Sequence, residues 1–126
     1  MKLTLETSDV NLIRAWEPDA IRVGDEWLRQ HLIVAAESLV LDWEPPSPER
    51  LTLADLNAAI SLKPEIILLG TGAKLTTPDV TLMAQVAATG IGLEIMDTPA
   101  ACRTYNVLTH ESRRVVAALF VESAKP

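Results

Sequence analysis

The fold is indicated most clearly by residues 65–72, EIILLGTG, where an unbroken apolar run ends at a glycine. A continuous run of large aliphatic side chains is typical of a strand covered on both faces, as in parallel sheets flanked by helices. Gly92–Met96 is predicted as the next strand, and Val115–Val121 as a final strand that its composition buries on both faces. The second half of the chain is therefore predicted to be α/β.

Three helices are predicted in the same half. The apolar period changes from two to 3.6 behind Thr52, which indicates a first helix. A second is predicted to begin at Thr77 as N-cap, with Pro78 in its first turn, and to end near Gly90. Its predicted buried residues are Val80, Met83, Ala84 and Ala87. Crossovers of the usual hand would assemble these elements into a mainly parallel sheet with helices outside it.

The third helix is predicted to begin at Thr98-Pro99, which repeats the capping pattern. One face is predicted to carry Ala101, Tyr105 and Leu108, and the polar arc Arg103, Asn106 and His110. The polar arc either binds an anionic ligand or a partner, or is simply the exposed side of a half-buried helix, and the residues favour the second interpretation.

The first 43 residues consist of short apolar pieces separated by turn residues, the pattern of an antiparallel meander. Four or five strands are predicted. The piece from His31 to Ala36 is apolar on both faces, which favours an inner position and a His31 satisfied within the sheet. We expect the meander to add one strand to the edge of the central sheet and to form an additional β layer.

Residues 44–50, EPPSPER, separate the two halves. Three prolines in four positions remove backbone donors and disfavour helix in the residues before them. Neither flank is large enough for a core of its own. The segment is therefore interpreted as a connection within one domain, residues 1–126, between a β-rich part (1–43) and an α/β part (51–126).

Composition limits the partners and the compartment. The 126 residues include 11 Lys and Arg against 17 Asp and Glu, for a net charge of −6, and no basic stripe appears, which argues against nucleic-acid binding. No apolar run reaches the roughly 18 residues of a membrane span, and the start MKLTLE turns acidic before a signal-peptide core could form. We predict a cytoplasmic protein without a transmembrane segment. The single Cys102 is predicted to be buried and inert, and no metal-ligand set is found.

Ligands of open α/β sheets collect at the carboxyl ends of the parallel strands, which here are Gly70–Lys74 and Asp97–Thr98. Glycines let a ligand approach the backbone, threonines offer hydroxyls, and Lys74 offers a charge. The candidate ligand-binding residues are Gly70, Thr71, Gly72, Lys74, Asp97, Thr98, Arg103 and Asn106. The alternative is that the glycines form a tight exit from the strand, the threonines are caps and Lys74 is solvated, and the residues alone favour this alternative. Neither GxGxxG nor P-loop spacing is present.

The three tryptophans all lie in the N-terminal half. Core anchoring is predicted for Trp16 and Trp43. Trp27, beside a charged turn, is the candidate for an exposed contact with a partner.

Three motifs resemble a known family: LLGTG (residues 68–72), MDTPAACRTYNVL (96–108) and ESRRVVAAL (111–119). They are similar to the small α/β family that includes mitochondrial complex I assembly factor three, and the resemblance covers nearly the whole chain. It implies a three-layer fold around a mixed sheet whose last strand runs antiparallel to its neighbours. We adopt the mixed sheet in place of the all-parallel one.

The resemblance implies little about chemistry. The eukaryotic relatives look like non-enzymatic assembly factors, and the bacterial members are mostly of unknown function; the lack of a mitochondrial presequence fits a bacterial-type member. The family's recurrent positions, to which it attaches no enzymatic role, fall on Gly70, Thr71, Gly72, Asp97, Thr98, Thr104, Asn106, Glu111 and Arg113. This chain has Ser112 where the family often has glycine.

We therefore expect a non-catalytic protein-binding or assembly module, by resemblance in respiratory-complex biogenesis, with respiratory subunits or assembly factors as partners. No cofactor, catalytic residue or metal ligand is predicted. The alternative is a binder of, or enzyme acting on, a small anion at the Gly70–Lys74 and Thr98 loops, which convergence of Arg103 and Asn106 on the Gly72 loop would favour. A self-associating protein, in the simplest case a homodimer, is a third hypothesis that the sequence does not rank.

Overall fold

A computed structural model describes residues 10–122 of the chain. The strands in this part are β1 (Ile13–Glu17), β2 (Ala20–Val23), β3 (Glu26–Leu28), β4 (Leu32–Ala35), β5 (Ser38–Val40), β6 (Ile66–Gly70), β7 (Gly92–Met96) and β8 (Val115–Leu119). The α-helices are α1 (Asn57–Ile60), α2 (Val80–Ala88) and α3 (Thr98–His110), with 3-10 turns at Pro48–Arg50 and Ala54–Leu56.

The strands form two sheets. An antiparallel sheet contains β1, β2 and β3, and a second sheet has the order β5-β4-β8-β6-β7. In the second sheet β6 pairs in parallel with both β7 and β8, whereas β4 runs antiparallel to its neighbours β5 and β8. The predicted mixed, mostly parallel sheet with an N-terminal antiparallel layer is confirmed.

Two details of the predicted topology are wrong. The last strand, β8, is parallel to β6, and the strand that opposes its neighbours is β4. The reason is that α3 carries the chain back to the end of the sheet at which β7 begins, so β8 runs in the same direction as β7. The meander contributes two strands to the central sheet rather than one, because β4 and β5 join it together as a hairpin.

Two cores lie on opposite faces of the central sheet. On one face, the antiparallel sheet and α3 pack against Leu32, Val34 and Leu68. On the other, Leu56 of the turn before α1, Leu82 of α2 and Trp43 pack against Ile33, Ile67 and Leu69. Every residue of β8 is buried, as expected of a strand covered on both faces.

The second helix begins later, and buries a different face, than the sequence pattern predicts. Its N-cap is Asp79 rather than Thr77, and the Asp79 carboxylate accepts a hydrogen bond from the Thr81 amide at 3.1 Å. Its buried residues are Leu82 and Val86. All four residues predicted to be buried, Val80, Met83, Ala84 and Ala87, are exposed. Apolar side chains lie nearly all round this helix, so the 3.6-residue period does not select a face.

Candidate functional site

The carboxyl ends of β6 and β7 meet the start of α3 at a corner around Gly70. Backbone hydrogen bonds tie these segments together: the Thr71 amide donates to Met96 O at 2.9 Å, and the Thr98 amide donates to Gly72 O at 2.8 Å. The Phe120 amide, just beyond β8, donates to Gly70 O at 2.8 Å. The corner therefore forms where the sequence predicts a ligand site.

Gly70 is required by the closeness of α3. A Cβ atom at this position would lie 2.9 Å from Thr98 Oγ1, 3.0 Å from Thr98 Cα and 2.9 Å from Leu119 Cδ2. Backbone cannot yield as the end of a flexible side chain can. Glycine at position 70 thus lets the helix begin directly against the strand.

The two threonine hydroxyls of the corner are already engaged. The Thr98 hydroxyl donates to Phe120 O at 2.7 Å and accepts from the Gly72 amide at 2.8 Å. The Thr71 hydroxyl donates to Lys74 O at 2.6 Å and accepts from the Thr76 amide at 2.9 Å. Both side chains are buried. These hydroxyls hold the strand ends and the loop in place.

The first turn of α3 also has no free amide at its N-terminus. The Asp97 carboxylate accepts from the Ala100 amide at 2.8 Å, and Asp97 O accepts from the Ala101 amide at 3.0 Å. The Thr98 amide is bonded to Gly72 O, and Pro99 has no N–H group. The donors that bind anions at many helix N-termini are thus occupied here.

Arg103 and Asn106 contact β1 instead of the Gly72 loop. The Asn106 side chain accepts from the Ile13 amide at 2.9 Å and donates to Ile13 O at 2.7 Å, which joins α3 to the edge of the antiparallel sheet. The Arg103 guanidinium lies over the Trp16 ring, 5.9 Å from its centroid. Asn106 thus joins the two layers, while Arg103 and His110 remain exposed, as expected of the outer side of a half-buried helix.

Two clefts flank the loop. A cleft of about 170 Å³ is lined by Trp16, Glu17, Pro18, Gly72, Ala73, Thr98 and Pro99. A wider groove of about 530 Å³ lies on the other side, between the loop and residues 45–48, and the exposed Lys74 is on its rim. Of the eight candidate residues, the structure thus brings six together at the corner.

His31 lies between that groove and the strand end. Its ring packs on Phe120 with 4.9 Å between ring centroids, and Nδ1 accepts a hydrogen bond from the Val121 amide at 3.0 Å. Burial lowers the pKa of His31, and an Nδ1 that accepts a hydrogen bond places the proton of the neutral ring on Nε2. The histidine is satisfied within the structure, as its pattern predicts.

The other singled-out side chains have clear surroundings. Cys102 is fully buried, and burial raises the pKa of its thiol to about 12, so the thiolate is scarce at neutral pH. Trp43 is buried and its indole donates to Asp55 O at 2.8 Å, whereas Trp16 is only half-buried. Trp27 is 41% exposed on β3, at the edge of the antiparallel sheet.

A second polar cluster, at the opposite end of the central sheet, is one that the sequence analysis does not single out. Glu65 holds two guanidinium groups: Arg113 Nε lies 3.0 Å from Oε1, and an Arg114 terminal nitrogen lies 3.5 Å from Oε2. The hydrogen bond from Arg113 and the contacts with Arg114 lower the pKa of Glu65. The sequence signals that could have found it are the Arg doublet and the departure from glycine at Ser112.

Ser112 adopts a left-handed backbone with φ 63°. Its amide donates to Thr109 O at 2.9 Å and the Arg113 amide donates to Leu108 O at 3.0 Å, the two bonds of a Schellman motif that ends α3. Glycine is the usual residue at this position because it has no Cβ to clash. The turn that the family's glycine implies therefore forms here with serine.

Within residues 10–122, the structure contains no helix with the length and apolarity needed to cross a bilayer. The same part of the chain holds no group of three or more His, Cys, Asp or Glu side chains that could bind a metal ion.

The model of a family described as "Protein of unknown function (DUF498/DUF598)" matches residues 13–120, from the start of β1 to just beyond β8. The chain belongs to this family. The resemblance inferred from its three motifs is thereby confirmed.

Two curated relatives illustrate the range of names in this DUF498/DUF598 family. The "13 kDa major membrane protein" of Francisella tularensis is 31% identical over 68% of this chain and 71% of its own length. The zebrafish (Danio rerio) "NADH dehydrogenase [ubiquinone] 1 alpha subcomplex assembly factor 3" is 34% identical over 64% of this chain and 47% of its own. The match therefore spans about half the length of that assembly factor.

Among solved structures, an NMR structure of the Xanthomonas campestris protein XCC1710 is similar with a TM-score of 0.85 at 38% identity. The similarity covers 100% of this chain and 96% of that one. The α/β fold described above is thus shared with an experimentally determined relative over most of that chain's length.

Proposed function

We propose that this protein is a non-catalytic module that binds another protein during assembly of a respiratory NADH dehydrogenase. The observation that carries the proposal is the commitment of the corner's polar groups. Thr71, Thr98 and Asp97 make their side-chain hydrogen bonds to backbone groups of the chain, which argues against acid–base catalysis by these three residues. These residues support a rigid scaffold. The assembly role is proposed because the zebrafish relative is named as a NADH dehydrogenase assembly factor.

The proposed partner surface includes Trp27, whose side chain is 41% exposed on the edge strand β3. A large exposed aromatic side chain is a common anchor of protein interfaces. The neighbouring sheet is rigid, because β2 is buried between β1 and β3, so the tryptophan is presented in a fixed position.

The test is a gene deletion in the source organism. We expect the amount of assembled NADH dehydrogenase, measured on native gels by an NADH-dependent activity stain, to fall several-fold and to be restored by the wild-type chain. Trp27→Ala should restore less, while Leu75→Ala, which removes an exposed apolar side chain elsewhere, should restore fully. Succinate dehydrogenase on the same gels controls for general membrane damage. Unchanged NADH dehydrogenase after deletion contradicts the proposal.

A cytoplasmic location is part of the same proposal. Fractionation of the source cells should recover the chain mainly with soluble proteins and, in part, with partly assembled complexes. The Francisella relative is named as a membrane protein. Recovery of the chain in membranes that lack the complex would therefore count against a cytoplasmic location.

A second candidate function is the binding of a small anion, favoured only by the groove of about 530 Å³ with Lys74 on its rim. Thermal unfolding in the presence of inorganic phosphate tests it. A rise in the midpoint that Lys74→Ala abolishes would support the anion site. An equal unfolding midpoint with and without phosphate would contradict the anion site and leave protein binding as the remaining candidate function.

A further inference from the structure

A groove of about 390 Å³ lies beside the exit of β8, between the β1–β2 turn, the β3–β4 connection and the segment that follows β5. Its apolar lining consists of Leu41, Trp43, Pro45 and Val121. Leu41 is 36% exposed, so a large aliphatic side chain faces solvent here. A concave surface with a largely apolar lining is typical of binding sites.

Hydrogen bonds between its walls fix the shape of this groove. The Gln30 side chain donates to Leu41 O, which ties the β3–β4 connection to the segment after β5. The Val121 amide donates to His31 Nδ1 at 3.0 Å, which ties the same connection to the exit of β8. A groove that is already formed does not have to be ordered when a partner binds.

The charged side chains that line the groove are acidic overall. Three carboxylates, of Asp19, Glu44 and Glu122, stand against the single guanidinium of Arg29. His31 also lines the groove, and burial lowers its pKa, so its ring is neutral at pH 7. The lining therefore carries a charge of −2.

The one cation of the groove is already shared between two carboxylates. The Arg29 guanidinium lies 3.1 Å from the Asp19 carboxylate and 4.0 Å from that of Glu17, which does not line the groove. The groove's other two carboxylates are exposed and have no basic side chain within ion-pair distance in residues 10–122. Counting Glu17 and the Lys74 of the adjoining groove as well leaves the sum at −2.

The groove also lies close to the proposed partner surface at Trp27. Arg29 follows Trp27 by two residues, so their Cα atoms are at most about 7 Å apart. A single partner therefore reaches both.

We propose that this groove docks a segment of the protein partner that combines basic and apolar side chains, with a lysine or arginine beside Glu44 and Glu122 and an apolar side chain on Leu41. This inference rests on the proposed function, since it assigns the partner's contact. The net negative charge repels an acidic peptide, a nucleic acid or an anionic membrane surface. A small cation alone would leave the apolar lining uncovered. Charge complementarity thus selects a basic segment.

The test is an NMR titration of the ¹⁵N-labelled full chain, at low salt, with a peptide of alternating leucine and lysine. Amide shifts should be confined to residues 28–31, 41–44 and 120–122, which form or adjoin the groove. A peptide of alternating leucine and glutamate is the control and should not bind. Added salt should weaken the binding, because the carboxylates are exposed.

The acidic side of the groove is tested by the double variant Glu44→Gln, Glu122→Gln, which removes two charges and keeps the shape. It should bind the lysine peptide about tenfold more weakly. Glu94→Gln is the matched control, because Glu94 is an exposed glutamate on the edge strand β7 and does not line the groove.

The apolar side of the groove is tested by Leu41→Ala, which should weaken binding several-fold. Leu39→Ala is the matched control, because Leu39 is also 36% exposed and does not line the groove. The spectrum of each variant reports whether it is folded.

Several outcomes would overturn the proposal. They are equal binding of the glutamate peptide, no binding of either peptide, shifts at residues 62–64 and 113–116 instead, or wild-type affinity of the double variant or of Leu41→Ala. Free lysine that binds as tightly as the peptide would mean that the apolar lining is not used. Shifts at the groove that appear on concentrating the chain without peptide would assign this face to a second copy.

Complementation of the deletion strain separates the two proposals. Rescue by the wild type and failure of the Glu44→Gln, Glu122→Gln variant support both. Rescue by both chains keeps the assembly role and overturns the groove as the partner's contact. If deletion leaves NADH dehydrogenase unchanged, the assembly role fails, and the peptide titration alone decides whether the groove takes a basic segment.

Discussion

The two ends of the central sheet use polar residues in opposite ways. At the Gly70 corner the Thr98 and Thr71 hydroxyls are buried and each makes a donor and an acceptor contact with backbone. At the Glu65 end the charged groups are exposed, and one carboxylate serves two guanidinium groups.

The comparison indicates that the polar groups at the Gly70 corner stabilise the fold, whereas the charged groups at the Glu65 end remain accessible from solvent. A buried polar atom that loses its partner costs more than an exposed ion pair contributes, because water replaces the lost contact only at the surface. Substitutions of the buried polar groups at the corner should therefore lower stability more than substitutions of the exposed charged groups at the other end.

The largest expected effect is that of Gly70→Ala. The new methyl group would lie 3.0 Å or less from three atoms of Thr98 and Leu119, one of them backbone, so the free energy of unfolding should fall by about 3 kcal/mol. Urea unfolding followed by circular dichroism measures this. Gly92→Ala is the matched control, because its Cβ would have no neighbour closer than 3.6 Å. Equal effects of the two substitutions would remove the distinction.

Thr98→Val should cost about 2 kcal/mol, because it keeps the shape and leaves the Gly72 amide and Phe120 carbonyl without their hydrogen bonds. Thr98→Ser, which keeps the hydroxyl, should cost clearly less in the same unfolding experiment. A valine variant as stable as the wild type would mean that water reaches the corner.

Ser112→Gly should stabilise the chain by about 0.5–1 kcal/mol, since glycine adopts φ 63° without a Cβ clash. Ser112→Ala is the comparison, and it should not stabilise because it keeps the Cβ. The midpoint of urea unfolding reports both. If Ser112→Ala stabilised the chain as well, the serine hydroxyl rather than the Cβ would be the unfavourable group.

The smallest effect concerns pH. The pKa of His31 is lowered by burial from its usual 6.5, so the unfolded chain takes up this proton before the folded chain does. The stability that neutral His31 contributes is complete above about pH 6.5 and decreases as the pH falls toward the folded-state pKa. His31→Asn offers an acceptor to the Val121 amide and does not titrate. Its unfolding free energy should depend less on pH between 7 and 5, and an unchanged slope would contradict the assignment.

Much of the strand pattern could be predicted from the sequence. The aliphatic run before Gly70 and the short pieces of the meander correspond to β6 and to β1 through β5, because burial on one or both faces leaves a direct mark on composition. The motifs around Gly70, Asp97 and Arg113 were enough to recognise the family.

The sequence-based prediction was wrong where the outcome depends on which distant elements a segment packs against. The apolar helix α2 has no polar face that would indicate which side is buried. The direction of a strand depends on the end of the sheet at which the preceding connection leaves the chain. The alternative of an anion site would be favoured by convergence of Arg103 and Asn106 on the Gly72 loop, whereas both contact β1.

The sequence by itself determined most strands and the family, because hydrophobic period and short motifs act over a few residues. The tertiary structure alone decided which polar atoms are already satisfied. Hydrogen bonds between residues 22 or more positions apart, such as Thr98 to Phe120 and Asn106 to Ile13, turn candidate ligands into parts of the scaffold. The same long-range packing brought Glu65 to Arg113 and Arg114, which β6, α2, β7 and α3 separate along the chain.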